Sequence, residues 1–119
     1  MVRKKTLMIH GVISIDKNTG AVSIPVSHAS TFKQDGIGNF KYEYARTGNP
    51  TREALEALIR DIEGGVAGFA FSSGMAAITS VFQLFTSGDH IVATDDVYGG
   101  TFRLATKVLS KFNIDVTFV

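Results

Sequence analysis

Three short groups of residues have the types and spacing to do chemistry. The first is Ser72-Ser73-Gly74-Met75, which separates an apolar run, residues 66–71, from a second apolar run that opens at Met75. A strand–turn–helix junction of this kind aims free backbone N–H groups and the positive end of the helix dipole at one point. That point suits an anion such as a phosphate, and Gly74, lacking Cβ, lets a ligand come close to the main chain. The same pattern also describes an ordinary serine-capped helix. The second group is Asp95-Asp96-Val97-Tyr98-Gly99-Gly100, a loop that offers an aromatic ring beside two glycines. An anion cradle with a flat ring to stack on is what a phosphorylated aromatic cofactor needs. Tyr98 could instead pack on a sheet edge, and the adjacent Asp95 and Asp96 could cap the turn rather than converge on one proton. The third group is Tyr42-Glu43-Tyr44-Ala45-Arg46 with the residues through Thr51. Tyr44 and Arg46 are two apart and project to one side of an extended segment, where guanidinium and phenol bind phosphate oxygens well. A surface arginine beside a helix start is the other reading.

These groups need elements to hold them. Residues 1–49 carry little regular pattern: 16–20 signal a turn, 21–26 form a short extended segment interrupted by Pro25, and 34–39 form a second loop. So long an irregular stretch is uncommon in a compact domain, and an arm lying across another surface, such as another subunit, accounts for it better than a core. Regularity begins at Asn49-Pro50, a good N-cap followed by the proline that a first helical turn tolerates. Leu55, Leu58, Ile59 and Ile62 then form one apolar stripe at i, i+3, i+4, i+7, and Gly64-Gly65 ends the helix. Beyond it the pattern alternates. Strands are expected at 66–71, 90–94 and 115–119, with helices at 75–86 and 101–111 between them. Phe102, Ala105, Leu109 and Phe112 should face inward on the last helix, with Arg103, Lys107 and Lys111 outward. That alternation is the pattern of an α/β sheet with parallel pairing. Its two candidate loops, 72–74 and 95–100, both follow strands, at the sheet end where open α/β folds bind ligands.

The totals exclude several classes. The chain has 119 residues, 45% hydrophobic and 19% charged, with a formal net charge of +1. Such balance argues against a nucleic-acid footprint or a polybasic membrane surface. There is no cysteine, hence no disulfide framework and no thiol nucleophile. His10, His28 and His90 stand singly and make no metal-ligand pair. The basic start with a brief apolar stretch at 7–9 is too short for a signal peptide, and no run approaches membrane-spanning length, so the cytoplasm is the expected location. The helix expected at 75–86 is apolar on nearly every side and must be covered on both faces. Three strands and their helices do not supply that cover, so the chain is expected to be the front end of a larger protein, poorly soluble or self-associating by itself.

Taken together, Tyr44-Ala45-Arg46-Thr47-Gly48-Asn49-Pro50-Thr51, Ser72-Ser73-Gly74-Met75-Ala76-Ala77 and Asp96-Val97-Tyr98-Gly99-Gly100-Thr101 resemble the Cys/Met-metabolism family of pyridoxal-phosphate (PLP) enzymes. The family includes cystathionine γ-lyase, cystathionine γ-synthase, cystathionine β-lyase and methionine γ-lyase. The resemblance covers essentially the whole chain, in order and spacing. Residues 4–11 and 95–101 look most like bacterial cystathionine γ-lyases, and Val12 departs from the second glycine many relatives have after the His-Gly pair. The resemblance implies an N-terminal arm, residues 1–49, reaching a neighbouring subunit. Residues 50–119 would be the incomplete start of a fold-type-I, aspartate-aminotransferase-like PLP domain. It implies that the Gly74 and Met75 amides hold the cofactor phosphate and that Tyr98 stacks on the pyridine ring and takes part in proton transfer. Tyr44 and Arg46 would reach the phosphate of the neighbouring subunit's cofactor, in a dimer that shares active sites and pairs into a tetramer. It also implies that the Schiff-base lysine, the aspartate facing the pyridine nitrogen and the arginine for the substrate carboxylate lie beyond Val119. Residues 30–33, Ser-Thr-Phe-Lys, only echo the lysine motif. The 119 residues alone should then be inactive.

The resemblance implies a C–S lyase acting on a small amino-acid substrate, releasing cysteine, 2-oxobutanoate and ammonia from cystathionine. γ-Replacement on an activated homoserine, or β-elimination, would use the same visible residues. An expectation of another class is a non-catalytic phosphate-binding or oligomerisation module.

Overall fold

The computed structural model describes residues 3–11 and 15–119, and Val12 lies outside the described residues. The chain divides into two compact units, Met1–Ala70 and Phe71–Val119.

In the first unit, α2 (Pro50–Glu63) forms where its caps require. The Asn49 side chain accepts from the Thr51 and Arg52 amides at 2.9 and 3.3 Å, Pro50 opens the first turn, and Gly64 ends the helix in the left-handed region at φ 67°. The expected stripe is present, but Leu55 and Ile59 stay about half exposed. The segment before α2 has more structure than its sequence suggests. A helix not anticipated there, α1 (Lys4–His10), packs against α2. Its seven residues span only two turns, too few for an apolar period to stand out. Further along, Thr31 and Tyr44 form an antiparallel bridge, closed by Phe32 N–H to Glu43 O at 3.0 Å and Ala45 N–H to Ser30 O at 2.9 Å. The Ser27 amide donates to Thr51 Oγ1 at 2.9 Å, fastening this segment to the first turn of α2.

The strand expected at 66–71 does not form. The run is without a ladder partner among the described residues, and its backbone is engaged otherwise. Ala70 N–H donates to Glu56 Oε1 at 3.0 Å, and Gly68 lies so close to α2 that a Cβ there would come 2.3 Å from the Glu56 carbonyl oxygen. An extended run becomes a strand only when another strand satisfies its N–H and C=O groups.

The second unit holds α3 (Gly74–Phe82), β1 (His90–Ala93), α4 (Gly99–Lys107), a 3₁₀ turn (Leu109–Phe112) and β2 (Asp115–Phe118). β1 and β2 pair in parallel, His90 against Asp115 through Ala93 against Phe118, as the alternation predicts. Ile91, Leu109 and Ile114 form the core, with Phe82 and Val116 packed on it. Helix α3 stops at Phe82, short of the expected residue 86. The last helix begins two residues early and tightens into the 3₁₀ turn, which Asn113 closes at φ 56°. Ala105 and Leu109 are buried as expected, whereas Phe102 and Phe112 are 48% and 61% exposed. Phe102 rests its ring on Phe118 of β2, centroids 5.1 Å apart, so it covers the sheet's flank instead of entering the core.

Candidate functional site

Helix α3 begins at the serine–glycine junction. Ser73, extended at φ −159°, caps it: its Oγ accepts from the Ala76 amide at 3.1 Å and its carbonyl from the Ala77 amide at 3.1 Å. That cap leaves the first two amides over. Gly74 N–H and Met75 N–H have no acceptor among the described residues, and both lie at the positive end of the helix dipole. A Cβ built on Gly74 would meet nothing within 4 Å, so the space beside this residue is open. A phosphate group fits two parallel unpaired donors with room in front of them.

The Tyr98 loop belongs to the same unit and comes to the same place. Asp95 N–H donates to Val119 O at 2.9 Å, which ties the loop to the end of β2. Tyr98 is the N-cap residue of α4, and its carbonyl accepts from Thr101 N–H at 2.8 Å and Phe102 N–H at 3.2 Å. Tyr98 is 70% exposed. Gly100 shows what surrounds it. A Cβ there would lie 2.6 Å from Tyr98 Cε1 and 2.9 Å from Met75 Sδ, so the ring and the thioether converge on this one glycine. Thr101, buried, places its Oγ1 4.0 Å from the same sulfur. The Met75 side chain and the Tyr98 ring are therefore brought together at Gly100, next in the chain to the unpaired amide of Gly74. Pyridoxal phosphate has a phosphate and a flat pyridine ring, and these residues fit both. Asp95 and Asp96 are exposed, and neither side chain accepts a hydrogen bond among the described residues.

In the first unit, Tyr44 and Arg46 are brought together, but by a turn at 45–47 and not by the extended segment expected there. The Arg46 guanidinium lies over the Tyr44 ring, 5.3 Å from its centroid, and both side chains are exposed. Their turn is closed by the Tyr44 carbonyl, which accepts from Thr47 N–H, Gly48 N–H and Thr47 Oγ1–H at 3.0, 2.9 and 2.8 Å. Arg52, which the helical pattern assigns to the outer face of α2, turns back onto the same segment (Nη1 to Ala45 O at 3.1 Å and Arg46 O at 3.3 Å, Nη2 to Thr47 O at 3.1 Å). The sequence signal for it is slight: an arginine three residues after an N-cap asparagine points toward the chain that enters the helix. Next to it, Glu53 accepts from Tyr42 Oη–H and pairs with Lys41 Nζ at 3.3 Å. The Tyr42 hydroxyl, with the lysine, holds the Glu53 carboxyl below the usual range, while partial burial and the glutamate push the Tyr42 phenol up. Lys33, in the segment that echoes a lysine motif, pairs with Asp35 Oδ1 at 3.0 Å at the surface.

Comparison with known proteins points the same way as this geometry. The profile of the Cys/Met metabolism PLP-dependent enzyme family matches residues 5–119. A cystathionine gamma-lyase of Bacillus subtilis (strain 168) is 62% identical over 119 residues, covering 99% of this chain and 31% of that protein. A cystathionine beta-lyase of Lactococcus lactis subsp. cremoris (strain MG1363) is 64% identical over 115 residues, covering 96% of this chain and 30% of that protein. Among solved structures, cystathionine gamma-lyase from Lactobacillus plantarum complexed with L-serine superposes with a TM-score of 0.90 at 58% identity. That match covers 99% of this chain and 31% of the other. The chain thus spans about 30% of the length of the relatives it matches. The partial α/β arrangement superposes on theirs, and the chain belongs to the Cys/Met metabolism family of PLP-dependent enzymes.

Proposed function

We propose that this chain is the N-terminal part of a PLP-dependent C–S lyase of the cystathionine γ-lyase type. The observation that carries the reading is the approach of two helix starts in one unit, α3 with its unpaired Gly74 and Met75 amides and α4 with the exposed Tyr98, where the Met75 thioether and the Tyr98 ring meet at Gly100. Pyridoxal phosphate, when bound, supplies an electron sink for carbanion chemistry on an amino acid. The residues of this chain supply the setting. The Gly74 and Met75 amides bind the phosphate dianion, using the helix dipole. Tyr98 offers its face to the pyridine ring and its hydroxyl to a proton leaving or joining the substrate. Arg46 and Tyr44 carry a cation and a hydroxyl to the phosphate of a neighbouring subunit's cofactor, so residues 1–49 act as an arm in a dimer that shares its sites and pairs into a tetramer. Residues 50–119 open the cofactor domain. The Schiff-base lysine, the pyridine-nitrogen aspartate and the substrate-carboxylate arginine lie beyond Val119, and the 119 residues alone are inactive. Among the described residues no helix is long and apolar enough to cross a membrane, and the cytoplasm is the proposed location.

The substrate is a small sulfur amino acid with cystathionine as the leading choice. Elimination at the γ-carbon, with one water, yields cysteine, 2-oxobutanoate and ammonia; elimination at the β-carbon breaks the other bond of the same sulfur and yields homocysteine, pyruvate and ammonia. The relative 64% identical to this chain is named a beta-lyase, which keeps β-elimination as the second reading. The deciding experiment incubates the complete enzyme with cystathionine and identifies the keto acid. 2-Oxobutanoate is the expected product. Pyruvate alone would assign the β-lyase, and consumption only of O-acylhomoserine with cysteine would assign γ-replacement. No visible PLP absorbance in the purified complete protein would refute the whole reading.

A further inference from the structure

We infer that Arg52 is a positioning residue for Tyr44 and Arg46, holding the turn that presents them to a phosphate. Its planar guanidinium donates to three successive carbonyls, those of Ala45, Arg46 and Thr47, at 3.1, 3.3 and 3.1 Å. The turn itself closes on the Tyr44 carbonyl, whereas the carbonyls of 45–47 have no other donor among the described residues than Arg52. A rigid fork suits several fixed acceptors at once, because its donors are held in one plane, whereas the donors of an ammonium turn about a single point on a flexible stem. The fork is itself oriented from behind. Glu56 Oε1 lies 3.6 Å from Arg52 Nε on the same face of α2 and also accepts from Ala70 N–H at 3.0 Å. Arg52 is thus supported by a helix whose start is set by Asn49, and it transmits that rigidity to the turn.

The contrast with Arg46 completes the argument. Six residues before Arg52, the Arg46 side chain donates to no oxygen among the described residues; its guanidinium only overlies the Tyr44 ring. One guanidinium is consumed by the backbone, and the other is left available with its own carbonyl held at its base. A phosphate-binding cation gains from such preorganisation, because the ordering is completed before the ligand arrives.

This inference rests on the proposed phosphate role of Arg46, and its test separates the two. The complete enzyme is prepared without cofactor as wild type, R46A, R52A, R52K and R46A/R52A. Reconstitution is titrated with PLP and, separately, with pyridoxal, which has the ring without the phosphate; thermal unfolding is followed in parallel. R52A should weaken PLP about tenfold, the scale of one charge-assisted hydrogen bond, and leave pyridoxal unchanged. R52K should resemble R52A although it keeps the charge, and it carries the same comparison should R52A fail to fold. The double variant should bind PLP no more weakly than R46A, since a residue that acts only through Arg46 has nothing left to act on. An equal loss for PLP and pyridoxal, an R52K value equal to wild type, or additive losses in the double variant would each overturn the inference. Unchanged PLP affinity in R46A would remove the phosphate role of Arg46 and this inference with it. A weakened R46A beside an unchanged R52A would remove this inference alone.

Discussion

Substituting Gly100 by alanine should move the Tyr98 ring while leaving the fold intact. Gly100 sits in the first turn of α4 with an unexceptional negative φ, so its backbone accepts alanine. Helix propensity favours alanine over glycine by about 1 kcal/mol, which offsets small packing losses. The added Cβ would stand 2.6 Å from Tyr98 Cε1, where ordinary contact begins at 3.4 Å, so the ring must retreat by about 0.8 Å. The 2.9 Å approach to Met75 Sδ is relieved more easily, because the thioether has three rotatable bonds. The tyrosine backbone cannot follow the ring, since its carbonyl is held by the Thr101 and Phe102 amides. An aromatic stack is worth about 0.5–1.5 kcal/mol beyond its buried area, so a displaced ring should weaken cofactor affinity by about two- to twelvefold. Turnover is more sensitive, because an error of this size in placing a reacting group costs up to about a hundredfold. The assay is cofactor titration of the complete enzyme, with visible circular dichroism of the bound chromophore and kcat in wild type, G100A, Y98A and the double variant. The dichroism and kcat should fall in G100A with an unchanged melting temperature, and G100A should add nothing to Y98A. Wild-type dichroism and kcat in G100A would refute the claim that this glycine sets the ring.

Gly68→Ala should behave in the opposite way. Its Cβ would come 2.3 Å from a backbone oxygen of α2 that cannot yield, so we expect a loss of about 1–3 kcal/mol on denaturant unfolding of the complete enzyme; an unchanged midpoint would show that the 66–70 run does not rest on α2 in solution. Acid should weaken the Tyr42–Glu53–Lys41 contact. Glu53 is held below its usual range, so its contribution is present above the ordinary glutamate value of about 4.3 and is lost as pH falls through its lowered folded value. E53Q should flatten that part of the stability–pH curve by a small amount, because Glu53 is exposed; identical curves for E53Q and wild type below pH of about 5 would exclude the contact.

What the sequence made legible was local. Asn49-Pro50 and Gly64-Gly65 bound α2 because caps depend on neighbours a few residues away, and Ser73-Gly74 marks the start of α3 for the same reason. Tyr44 and Arg46 do come together, but through the turn at 45–47, which closes on the Tyr44 carbonyl, and not through the alternation of an extended segment. The strand expected at 66–71 failed for a reason outside its own residues: β-branched and aromatic side chains favour extension, but pairing needs a neighbour. Phe102 and Phe112 match the inward period of their helix, yet period only states which residues share a face; Phe102 lies on Phe118 and Phe112 ends the 3₁₀ turn, and both stay exposed.

The residues that aim the site follow a different logic. Arg52 has the helical phase of a solvated side chain, Gly100 looks like a loop glycine carried into a helix, and Gly68 looks like an interruption of a strand. Each acquires its role from atoms brought close by the fold: three carbonyls for Arg52, a ring and a sulfur for Gly100, a helix backbone for Gly68. Residue type announces groups that bind or react, because their chemistry is their own. Positioning has no residue type; it is a property of distances. Substitutions at Arg52 and Gly100 should therefore disturb the cofactor while sparing every group that touches it, a pattern that periodicity and motif alone would not predict.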